Sequence, residues 1–227
     1  MAQHIAAVVL SSTDTIILTL FATLSEVSVY SVYHLVIHGV KQIFLSLING
    51  IQSLIGELWA KQELEELKKI FGWVEWSIHT VCVFAFGCTA VLILPFLQVY
   101  INGITDAVYI QPLFSILLTL AHASHCLRLP YNIMILAGGH YKQTQNNYII
   151  AAFLNIAISI VTVKRYGLIG VAIGTLVAML YQTFWMAYYD SRNLVQWPFS
   201  NFIKQIMVDV FSAIIGYNLC GLFIENC

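Results

Sequence analysis

Ser28–Ile55 reads SVYSVYHLVIHGVKQIFLSLINGIQSLI, and its one formally charged side chain is Lys41. Roughly 20 apolar residues at about 1.5 Å each cross a bilayer core as a helix. This stretch is longer, so it spans the membrane and either tilts or projects beyond it. Several of its polar residues fall in one row. Ser31, His34, His38, Lys41, Asn49 and Gln52, with Leu45 between them, recur at three-four spacing, so they share one helical face. Val, Ile, Leu and Phe fill the other faces. A single polar group would be explained by an interhelical hydrogen bond worth about 0.6 kcal/mol. A row of six predicts a wet groove. An ammonium at membrane depth costs a few kcal/mol and marks a cavity that a substrate or ion uses.

The rest of the chain extends that reading. Its 227 residues are 59% hydrophobic and 9% charged, with a mean hydropathy of +0.82. Soluble domains carry about 25% charge. The fold class is therefore all-α, a polytopic transmembrane helix bundle. Besides Ser28–Ile55, spans are predicted at Ile5–Leu24, Trp73–Leu97, Tyr109–Leu136, Tyr148–Val163, Leu168–Tyr188 and Phe202–Phe223. Trp73 and Trp76 suit an interface. The net charge of -1 gives no footprint for nucleic acid. The N-terminus has no basic residue before its apolar run and is not expected to be a cleaved signal peptide. Cys82, Cys88, Cys126, Cys220 and Cys227 form no C-x-x-C pair, so neither zinc nor a disulfide framework is expected.

Residues 60–72 carry Leu64, Leu67, Ile70 and Phe71 at helical spacing among charges. That is the pattern of an amphipathic cytoplasmic helix, lying on the membrane surface or forming a solvated hairpin. Lys61, Lys68, Lys69, Lys142, Arg192 and Lys204 fall in loops on one side and Lys164 and Arg165 on the other. The excess predicts a cytoplasmic N-terminus.

The fourth span holds His122, His125, Arg128 and Asn132, with Ser115 on an earlier turn. Pro130 should leave the carbonyl of Cys126 unpaired and kink the helix. Arg128 then either faces a cavity or snorkels to the interface. Asn155, Ser159 and Thr162 repeat at four and three, and Gly170, Gly174 and Ala178 form a small-residue series suited to close helix packing. Asp14 is either an ion-coupling site or a helix cap. The sequence has no P-loop, no H-E-x-x-H and no G-x-S-x-G. No catalytic pair stands out, so no enzyme is expected, nor any cofactor. His122 and His125 have no nearby carboxylate to complete a metal site.

Three stretches carry a resemblance. Ser12–Leu18 (STDTIIL) resembles the opening of a lobe in polysaccharide (O-antigen type) flippases. Arg128–Asn132 (RLPYN), with Ala137–Gln145, is similar to a later part of that lobe. Tyr166–Thr175 (YGLIGVAIGT) is similar to the family's penultimate loop and last lobe helix. These flippases belong to the multidrug/oligosaccharidyl-lipid/polysaccharide exporter superfamily and have two six-helix lobes around a central cavity. The resemblance implies that residues 1–193 are the C-terminal six-helix lobe and 194–227 an extra, truncated seventh helix. It implies a fragment or a half-transporter that needs the missing N-terminal lobe, in the same or a separate chain. Its implied partners are membrane lipid and a lipid-linked oligosaccharide, carried on a polyprenyl diphosphate across the cell membrane. Lys41, Arg128, His34, His38, His125 and Asn132 are the cavity candidates and Asp14 the ion-coupling candidate. Multidrug antiporters, peptidoglycan-precursor flippases and, in another class, a membrane transferase acting on polyprenyl-linked sugars are the alternatives.

Overall fold

The computed structural model describes residues 2–104 and 106–225, with side chains from 12 to 104 and from 106 to 216. Among these residues there are eight helices and no strand: α1 (Ala2–Phe21), α2 (Leu24–Ala60), α3 (Leu64–Tyr100), α4 (Pro112–Leu127), α5 (Leu129–Ala137), α6 (Tyr141–Tyr166), α7 (Leu168–Asn193) and α8 (Phe199–Glu225). Five of them, α2, α3, α6, α7 and α8, are long and apolar enough to cross a membrane. Large apolar side chains point outward, such as Phe84 at 74% and Val161 at 76% exposure. Water would penalise that surface heavily and lipid does not. The protein is a polytopic all-α membrane bundle.

Local chemistry sets the helix ends. Thr23 caps α2: its hydroxyl accepts from the Glu26 N–H at 3.2 Å, while Glu26 accepts from the Thr23 N–H at 3.1 Å. This reciprocal box satisfies two donors that a helix start leaves open. At the other end, Gln62 turns the chain at φ +59°. Between α6 and α7 the turn is a single residue, Gly167, at φ +54°, where a side chain would be strained.

Residues 60–72 do not form a separate surface helix. Ala60 ends α2, a three-residue turn follows, and Leu64 starts a helix continuous to Tyr100. Leu67 and Phe71 are fully buried. Those two side chains pack inside the α2–α3 hairpin, while Leu64 stays 43% exposed. The fourth span also differs from its expectation. It is interrupted at one residue, Arg128, giving α4 and α5, with the backbone there still right-handed helical at φ -84° and ψ -9°. The Cys126 carbonyl is not left open either: the Arg128 N–H turns to it.

The first turns of the seventh span, up to Asp209, pack on the bundle; Val210–Gly216 are exposed, and the side chains of the rest of the span lie outside the described residues. Phe202 is buried among Tyr131, Phe184 and Phe199. Asp209 of α8 lies 2.6 Å from His79 Nδ1 of α3, and Gln205 Nε2 donates to its second oxygen at 3.4 Å. Removing one member of a buried pair leaves the other uncompensated, at a cost of about 3–5 kcal/mol. His79→Ala is therefore expected to raise amide exchange throughout the first turns of α8 while α6 and α7 stay protected. Asp209→Asn, which retains an acceptor, should do much less. Equal exchange in wild type and His79→Ala would show that the pair does not hold α8.

Candidate functional site

The helices α1, α2, α4, α6 and α7 surround a cavity of about 270 Å³. Its wall is built by register. On α2, Tyr30, His34, His38 and Lys41 follow one another at turn spacing. Tyr30 and His34 stack at 5.4 Å between ring centroids, and His34 and His38 at 5.1 Å. From α4, His122 meets His34 edge-on at 5.6 Å, and His125 lies one turn further along. Arg128 closes this side, at the residue where α4 breaks from α5. Asp14, Tyr148, Thr175 and Met179 complete the lining.

The charge balance is the main feature. Arg128 is 5% exposed, and no ion pair reaches it or Lys41 among the described residues. Arg128 Nη2 donates to His125 Nδ1 at 2.6 Å, and Nη1 has no partner. Lys41 stands 17 residues from the start of α2 and 19 from its end, more than about 25 Å from each at 1.5 Å per residue. The one carboxylate in the lining is already engaged. Asp14 accepts from Thr175 Oγ1 at 2.7 Å, Tyr30 Oη at 3.2 Å and Asn155 Nδ2 at 3.2 Å. It sits mid-helix and ties α1 to α2, α6 and α7, so it does not act as a helix cap.

The candidates divide as follows. Lys41, Arg128, His34, His38, His125 and Asp14 line one cavity. Asn132 does not. It stands behind the wall, accepting from Tyr148 Oη at 2.7 Å, and so orients a residue that does. The stripe on α2 is shorter than its spacing suggests. Ser31 is exposed and bonds the Val27 carbonyl, and Asn49 is exposed. Ser31 is turned off the wall that Tyr30 and His34 form, and Asn49 lies two turns beyond Lys41, the last residue of α2 to line the cavity. Tyr30, Tyr148 and Thr175 line the cavity without having been singled out. Tyr30 is detectable from its place one turn before His34, but Thr175 looks like part of the small-residue packing series.

A second buried polar group joins α3, α5 and α8. Glu75 and His79 are one turn apart on α3, the Tyr131 hydroxyl donates to Glu75, and Asp209 pairs with His79. Glu75 falls inside the third span beside Trp76, where the interface aromatics drew attention from it. Among the described residues, no group of three or more His, Cys, Asp or Glu is placed to hold a metal ion. Compared with models of protein families, with curated proteins and with solved structures, the chain matches none.

Proposed function

We propose that the cavity binds the phosphate headgroup of a lipid, and that the chain is one lobe of a carrier for a polyprenyl-diphosphate-linked oligosaccharide. The observation behind this is a buried guanidinium with one unpartnered nitrogen, beside an ammonium and four imidazoles, in a space whose only carboxylate is engaged. Such a site lacks negative charge, and phosphate oxygens supply it through charge-assisted hydrogen bonds. The oligosaccharide and the second lobe come from the resemblance of residues 12–18, 128–132, 137–145 and 166–175. Transport is rocking of two lobes about a midplane site, and Asp14 is the ion-coupling residue. The chain sits in the cell membrane with its N-terminus in the cytoplasm, the orientation favoured by its basic residues. A cation antiporter has Asp14 in its favour, but two cations face that carboxylate across the cavity. A precursor flippase for peptidoglycan handles the same diphosphate and shares the proposed chemistry.

The test compares a polyprenyl diphosphate with the uncharged polyprenol of equal chain length, using the purified full chain in nanodiscs. One charged hydrogen bond is worth about 1.5–3 kcal/mol. The diphosphate should therefore bind at least about tenfold more tightly. Equal affinities would remove the phosphate from the reading and the carrier proposal with it.

A further inference from the structure

The contact between Arg128 and His125 sets a condition on the anion site. A guanidinium has only N–H donors, so at 2.6 Å His125 Nδ1 must be the acceptor and carry no proton. The imidazole in this arrangement is neutral, with its proton on Nε2. If Nδ1 takes up a proton, two donors and two positive charges meet at that distance. The contact then survives only if an acceptor enters between them. An anion is that acceptor: one oxygen can receive the Nδ1–H and another the Nη2–H. Nη1, already unpartnered and buried, offers a further donor, so the guanidinium can present two parallel N–H groups to the same anion.

We propose that His125 is a proton site coupled to the anion site, so that the cavity takes up a proton together with its anion. This rests on the phosphate-headgroup reading above. The surroundings of His125 bear on the sign. From its own helix it faces His122 and Arg128; from α2, His34, His38 and Lys41; from α1, Asp14; from α6, Tyr148; Cys126 adjoins it in the chain. With Lys41 and Arg128 lining the same cavity, a proton on His125 adds a further positive charge to it, and a bound anion compensates that charge. Asp14 cannot do so in the same way, because Tyr30, Asn155 and Thr175 hold its oxygens on the other side of the cavity. Proton and anion thus favour each other, and by linkage each raises the affinity for the other by the same factor.

The sign follows directly. The anion-bound state holds more protons than the free state, so binding strengthens as pH falls. The ligand must not titrate itself. The probe is therefore a diphosphate esterified at both ends with methyl groups, which keeps its charge from pH 8 to pH 5.5 or so. Calorimetry of the full chain in nanodiscs, in buffers of different ionisation enthalpy, reads affinity and proton uptake together. In wild type, affinity should rise by up to about tenfold per pH unit, with uptake approaching one proton. His125→Gln keeps an acceptor for Arg128 but cannot be protonated. It should bind the diester and lose both the slope and the uptake. A flat wild-type profile with measurable binding overturns the proton coupling and leaves the phosphate reading standing. An unchanged slope in His125→Gln moves the proton to another imidazole and overturns the assignment of His125. No binding of the diester at any pH overturns the phosphate reading itself, and the coupling falls with it.

Discussion

Arg128→Leu weakens binding of the polyprenyl diphosphate by about one to two orders of magnitude, which corresponds to losing one charged, forked contact of about 1.5–3 kcal/mol. The same change is expected to raise thermal stability, because Arg128 is buried with one nitrogen unpartnered and no counter-ion among the described residues. A buried charge without compensation opposes folding, and leucine fills comparable space without it. His125 loses a donor but keeps a free Nδ1 beside the cavity, where water can reach it. Opposite signs for stability and affinity distinguish a binding residue from a structural one, since a merely structural arginine would lower both when removed. Lys41→Met should weaken binding less, since an ammonium on a flexible stem gains less from a fixed geometry. Arg128→Lys should not restore wild-type affinity, because the fork is lost even though the charge is kept. Isothermal binding and thermal unfolding of the same preparations check all three. Unchanged affinity in Arg128→Leu would remove the guanidinium from the site, whatever its effect on stability.

The bundle itself was legible in the sequence, because bilayer thickness imposes a length on apolar stretches that no soluble fold requires. The third span illustrates the limit. Its apolar run starts at Trp73, but the helix starts at Leu64, since a helix that leaves the membrane need not stop at the interface. Charge at Glu65, Glu66, Lys68 and Lys69 marks the water boundary and says nothing about helix ends. Spacing on α2 identified His34, His38 and Lys41 as neighbours because helical period is a local property. It could not show where the stripe leaves the cavity, which depends on where α4 and α7 lie. The break at Arg128 was half visible. Pro130 announces a lost hydrogen bond, but whether the chain bends or restarts depends on what packs there. Here Tyr131 is packed against Phe71 and Phe202, which fixes the first turn of α5. Partnerships between distant spans, such as Asp14 with Asn155 and Thr175 or His79 with Asp209, leave no pattern in one sequence, because each residue alone resembles a stray polar group.

Gly170→Ala should be clearly destabilising although it adds a single methyl. In most helix interiors, replacing Gly with Ala stabilises by roughly 0.5–1 kcal/mol, because alanine has less backbone freedom to lose on folding. At Gly170 the sign reverses. A Cβ there would lie 2.6 Å from the carbonyl carbon of Thr162, 2.7 Å from its oxygen and 2.8 Å from the nitrogen of Val163. All three are backbone atoms of α6, so no side chain can rotate away. The helices must separate, which breaks the bond from Thr162 Oγ1 to the Gly170 carbonyl at 2.9 Å. Overpacking of this kind costs about 1–3 kcal/mol and exceeds the propensity gain. Gly50 on α2 is the control. Nothing lies within 4 Å of a Cβ built there, so Gly50→Ala should be neutral or stabilising. The consequence reaches the cavity, because α6 and α7 carry Asn155 and Thr175, the two partners that hold Asp14 from that side. Gly170→Ala should lower both the unfolding temperature and diphosphate affinity, measured on one preparation, while Gly50→Ala changes neither adversely. If both variants prove as stable as wild type, α6 and α7 do not approach at backbone contact, and the wall that presents Tyr148 and Thr175 to the cavity is placed differently.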